Sequence, residues 1–163
     1  MIRSALTAAA CGLVALGTSA TPVSPEDASS VLLAAGSETA EVTWLSEDIA
    51  RIDGKYGDYF YSVRMMNCDS EAQCSTAMIF ATFTMTGVPG LSTYEKINEY
   101  NDSLPFGRAF LLMSEVEDNY IVGVDYSLDL AHEHDLTKQD MELFMNILLQ
   151  FTGHMSGNND VNE

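Results

Sequence analysis

Tyr120-Ile121-Val122-Gly123-Val124-Asp125-Tyr126-Ser127-Leu128-Asp129-Leu130 alternates along its whole length. Tyr120, Val122, Val124, Tyr126, Leu128 and Leu130 fall on one side of an extended chain, and Ile121, Gly123, Asp125, Ser127 and Asp129 on the other. Successive side chains of a strand point to opposite faces, so this period of two specifies a strand with one buried face and one wetter face. Such a strand belongs to an antiparallel sheet that helices cover on one side.

Four more strands are expected around it. Residues 76–85 are apolar or small nearly throughout, the composition of a central strand. Residues 59–66, 41–45 and 107–113 complete a set of five. Between 59–66 and 76–85 stand Cys68 and Cys74, separated by the mostly polar residues 69–73. The simplest arrangement is a hairpin stapled near its turn by a disulfide. A metal site would require further ligands, and no other Cys or His lies nearby. A redox pair usually has the tighter Cys-x-x-Cys spacing at a helix start.

Three helix starts are marked by a hydroxyl residue followed three positions later by an acid, the spacing of a capping box: Ser24/Asp27, Ser92/Glu95 and Thr137/Asp140. Pro25 occupies the favoured first helical position, and Gly36 closes a first helix over 25–35. The second is expected over 93–103, with Tyr94, Ile97, Asn101 and Leu104 on one stripe and Pro105 forcing the exit. Met141, Phe144, Met145, Leu148, Phe151 and Met155 give the third a broad apolar face, weakened at Gly153. The expected order is α-β-β-β-α-β-β-α. Hairpin-connected strands in such an order make an α+β fold, an antiparallel sheet with helices on one face.

The first twenty residues differ in kind. Arg3 is their only charge, an Ala-rich apolar run follows from Ala5 to Leu16, and Thr18 and Ala20 stand at the −3 and −1 positions of a cleavage site. This is the order of a secretory signal peptide over residues 1–20. The apolar run is shorter than the roughly 20 residues of a membrane span. Cys11 sits inside that run without a large aliphatic residue before it, unlike a lipidation site. The expected organisation is a leader over 1–20, one domain over 21–157 and a polar tail over 158–163, with 21–23 the only linker-like stretch. The expected location is the periplasm or outside the cell, with no stable membrane insertion after cleavage.

The net charge is −17, and cleavage removes a cation and no acid. Such a surface repels nucleic acid and anionic membranes while keeping the chain dispersed. No Gly-x-Ser-x-Gly, phosphate-cradling Gly-rich loop or His-Glu-x-x-His occurs. His132-Glu133-His134, with Asp129 and Asp135 beside it, is the strongest metal suspicion. Nothing fixes a further ligand there, so it reads as a solvated turn, and neither metal nor cofactor is expected. Nine methionines offer adaptable contact area, though Met is more often core.

Tyr94-Glu95-Lys96-Ile97-Asn98-Glu99-Tyr100-Asn101, followed by Phe106-Gly107-Arg108-Ala109-Phe110, resembles the YbjN family. The cysteine hairpin and the Asp-rich strand 124–130 resemble it too, so that the likeness covers about residues 40–155 and is most specific over 97–110. The resemblance implies a fold like that of type III secretion chaperones, a twisted five-stranded antiparallel sheet with helices on one face. It also implies a regulatory role of the kind labelled sensory transduction. The acidic loop 114–119 and the segment 131–135 depart from the family's tighter turns.

Within the family-like motif, Asn98, Asn101 and Arg108 are candidate contact residues. The structural alternative is that Asn101 braces the helix end and that Arg108 pairs with an acid. Ile121, on the wetter face of the alternating strand, is a candidate partner contact. The expected function is an exported, non-enzymatic protein-binding module, chaperone-like or regulatory, acting on a protein partner or as a homodimer. A small-ligand or metal-sensing domain is the alternative, resting on His132/His134 and on Asn101 with Arg108.

Overall fold

The computed structural model describes residues 23–131 and 135–157. The expected leader with Cys11 and its cleavage site, the expected turn at His132-Glu133-His134 and the tail 158–163 lie outside the described residues. The elements are α1 (Pro25–Ala34), β1 (Thr39–Trp44), β2 (Ile49–Tyr56), β3 (Tyr59–Cys68), β4 (Cys74–Thr86), α2 (Leu91–Ser103), β5 (Arg108–Met113), β6 (Asn119–Asp129) and α3 (Lys138–Ser156).

All strands join one antiparallel sheet in the order β1-β2-β3-β4-β6-β5. The sheet has six strands rather than the five expected, and the order becomes α-β-β-β-β-α-β-β-α. The added strand is β2. Its inward positions are Ala50, Ile52 and Gly54, and its outward ones include Arg51, Asp53 and Lys55, so little apolar bulk marks it in the sequence. That bulk comes from β3. Gly54 stands opposite Tyr61, and a Cβ on it would lie 2.3 Å from the Tyr61 ring, which fills the space. β4 is central, paired to β3 and β6. Because β6 is antiparallel to both β4 and β5, those two run in the same direction, with α2 as the crossover between them.

The helix ends follow their local chemistry. The Ser24 side chain caps α1 by accepting from Asp27 N–H at 3.1 Å, and Gly36 turns the chain with φ +105°. Thr137 and Asp140 form the complete capping box of α3, which continues through Gly153 and closes on left-handed Gly157. For α2 the expected start is corrected. Gly90, not Ser92, is the N-cap, it offers no side-chain bond, and Ser92 lies inside the first turn. The stripe shifts as well. Ile97 and Tyr100 are buried, whereas Tyr94 and Asn101 are exposed.

The three helices share one sheet face. α1 packs on β1 and β2, α2 on β5, and α3 on β6 between the other two helices. Phe144 approaches Tyr61 at 6.2 Å between ring centroids, and Phe151 approaches Phe83 at 6.0 Å and Tyr100 at 5.5 Å. Burying each such ring is worth about 2–3 kcal/mol. Among the described residues no helix is long and apolar enough to cross a membrane. Cys68 and Cys74 are direct ladder partners joined by a disulfide, as their spacing predicts. Val23, expected as linker, is tied to the same place by reciprocal backbone bonds with Cys74 of 3.3 and 3.0 Å.

Candidate functional site

Among the described residues no helix lies on the sheet's second face, and the register sets its side chains in rows. Arg51, Arg64 and Met78 form one row, and Asp53, Ser62, Phe80, Asp125 and Arg108 the next. Thr82, Gly123 and Phe110 follow, then Thr84, Ile121 and Leu112. On β6 the second-face residues Gly123 and Asp125 are themselves buried, so the expected wetter face is dry at its centre. β6 is therefore low between Phe80 on β4 and Phe110 on β5. The result is an open depression of about 410 Å3 walled by Arg64, Met78, Phe80, Arg108, Phe110 and Leu112.

Two contacts fix the floor. The Phe110 ring lies across Gly123, where a Cβ would come within 2.5 Å of the ring and 2.6 Å of the Ala81 carbonyl oxygen. The Asp125 carboxylate accepts from Arg108 Nη2 at 2.6 Å and Nε at 3.3 Å. These hydrogen bonds and the opposite charge raise the Arg108 pKa, keeping the guanidinium protonated.

The cations of this face differ in their partners. Arg51 is held by Asp53 at 2.8 Å, and Lys55 by Glu38 at 2.6 Å. Arg64 instead lies over the Phe80 ring, its guanidinium carbon 5.7 Å from the centroid, and its Nε is buried with no hydrogen-bond partner among the described residues.

The residues singled out from the sequence separate. Arg108 and Ile121 belong to this face, where Ile121 is half-buried opposite Leu112. Asn98 is exposed on α2. Asn101 pairs with the backbone of Ala109 in both directions, donating to its carbonyl at 3.0 Å and accepting from its N–H at 2.8 Å. That is a structural brace between α2 and β5. Gly107 completes it with φ +78°, since a Cβ there would meet Ile147 at 2.5 Å. The family-like stretch 94–110 thus resolves into separate structural roles, and Asn98, Asn101 and Arg108 do not converge on one site.

Arg64 and Phe80 are not singled out in the sequence, and Phe110 enters there only as the last residue of the family-like motif. Arg64 stands between inward Val63 and Met65, a signal of outward orientation. Phe80 follows Ile79 in an apolar run, so its face is legible only from the register. A larger surface depression of about 650 Å3, near Trp44 and Ala72, carries Glu47 and Asp69 and no cation. Among the described residues no group of His, Cys, Asp and Glu could hold a metal ion.

A family model named YbjN, described as "Putative bacterial sensory transduction regulator", matches residues 28–151. No curated protein and no solved structure matches the chain.

Proposed function

We propose, starting from the fact that this chain belongs to the YbjN family, that it is an exported, non-enzymatic protein-binding module of regulatory or chaperone-like type. Its uncovered sheet face is the surface that binds a segment of another protein. The observation that carries this reading is the depression between Phe80 and Phe110, an aromatic and cationic surface on a strongly acidic chain. Buried aromatic and arginine anchors dominate protein contacts. The leader and the Cys68–Cys74 disulfide support export to an oxidising compartment. The fold like that of secretion chaperones, which the family resemblance implies, would favour a role for surfaces of the sheet in partner contact.

The occupant is a different protein rather than a second copy. Two chains of net charge −17 repel each other. The cations Arg51, Lys55, Arg64 and Arg108 all lie on this one face, by the register of β2, β3 and β5.

A photocrosslinking side chain placed at position 112 or 121 in cells tests this reading. The expected result is one discrete heterologous adduct from either position and none from position 149 on the exposed side of α3. An adduct of twice the chain's mass would replace the partner by a second copy. Equal labelling from 149, or no adduct from 112 and 121, would remove the open face as the binding surface.

A further inference from the structure

We infer that Arg64 is the anion-reading residue of the open face: it takes a single side-chain carboxylate of the partner segment while a neighbouring apolar side chain seats between Phe80 and Phe110. The inference rests on the binding-face reading and names the chemistry of the partner.

Of the four cations on this face, Arg51, Lys55 and Arg108 each already hold a carboxylate. Among the described residues Arg64 holds none, and none supplies an acceptor to its buried Nε. A buried donor without an acceptor destabilises the free protein, and an uncharged side chain would avoid that penalty. Its placement over Phe80 at 5.7 Å orients the guanidinium against a ring. An arginine beside an aromatic ring can still bind a carboxylate through the N–H groups that the ring does not cover.

The surroundings restrict the anion. Phe80 is two residues from Met78, the ladder partner of Arg64, and with Phe110 and Leu112 it gives an apolar wall beside the guanidinium. Asp53 and Asp125 stand in the adjoining row. Those acids and the chain's charge of −17 disfavour an acidic tract. The fitting segment is an apolar one carrying one Asp or Glu.

The test uses acetylated, amidated apolar nonapeptides bearing one Glu, their Gln counterparts, and free glutarate, titrated onto the mature protein by fluorescence anisotropy or competition. The Glu peptides are expected to bind about tenfold more tightly than the Gln peptides. Arg64→Gln should erase that preference while leaving the circular dichroism spectrum unchanged, and Leu112→Asp should abolish binding of both peptide types. A Glu preference that survives Arg64→Gln overturns the role of Arg64, and the face stands if Leu112→Asp still abolishes binding. Binding indifferent to both substitutions overturns the face as well. Glutarate competing as well as the Glu peptides would replace the protein segment with a small dicarboxylate.

Discussion

Arg108 on β5 and Asp125 on β6 stand directly opposite each other, and their 2.6 Å ion pair joins a guanidinium that is 70% exposed to a carboxylate that is 7% exposed. The asymmetry decides what each side chain does. Asp125 is desolvated and depends on its partner, whereas Arg108 keeps water on its outer side.

Arg108→Gln should therefore cost more than surface ion pairs normally do, because it leaves a buried carboxylate without its cation. A loss of about 1–2 kcal/mol is expected, below the figure for a fully buried pair because solvent reaches the vacated side. The double variant Arg108→Gln/Asp125→Leu should be less destabilised than the sum of its parts. Urea denaturation of the four proteins measures the coupling, and strict additivity would show that the pair does not act as a unit.

Gly123→Ala is expected to destabilise by about 1–3 kcal/mol through overpacking. The added Cβ would meet the Phe110 ring at 2.5 Å and the Ala81 carbonyl oxygen at 2.6 Å. The ring can move, but the β4 backbone cannot without breaking the ladder. Adding Phe110→Leu should therefore recover only part of the loss. Full recovery in thermal melts would mean that the ring was the sole obstacle.

What was legible in the sequence tracks how local its cause is. Ser24 and Thr137 cap through residues three positions away, and both caps stand as read. The start of α2 does not, because Gly90 caps through its backbone and leaves no side-chain signature. β2 escaped notice because Gly54 borrows its bulk from Tyr61 across the sheet. Asn101 was readable as a helix-end brace, but its partner Ala109 was not. Arg64 and Phe80 acquire meaning only when the register places them on one face.

Reduction of the Cys68–Cys74 bridge should lower stability without unfolding the domain. The loop it closes is short, with a sequence separation of 6. Chain-entropy reasoning then gives about 2 kcal/mol, at the low end for disulfides. The core contacts of Phe144 and Phe151 lie on α3, away from the bridge. Cys68→Ser/Cys74→Ser should melt about 5–10 °C lower with an unchanged far-ultraviolet spectrum. A melting point equal to that of the oxidised protein would remove the bridge's structural role.

Alkaline pH should destabilise the fold through its buried phenols. Tyr100 is fully buried, and desolvation raises its pKa to about 12 from the ordinary 10.0. In the unfolded chain the same phenol ionises near 10. Between pH 10 and 12 the unfolded state therefore releases a proton that the folded state keeps, and stability falls. The contribution is complete below pH 10, and on the order of 2 kcal/mol is lost by pH 12. Burial raises the Tyr61 pKa as well, opposed by its hydrogen bond with Ser37, so Tyr61 adds to the loss in the same direction. Tyr100→Phe gives up the bond to the Ile147 carbonyl at 3.3 Å, a cost of about 1 kcal/mol at neutral pH. Above pH 10 the variant should lose less stability than the parent and retain only the slope of the remaining tyrosines. Urea midpoints collected at intervals from pH 8 to pH 11.5 measure both slopes. Equal slopes would show that the Tyr100 phenol does not titrate differently in the folded and unfolded states.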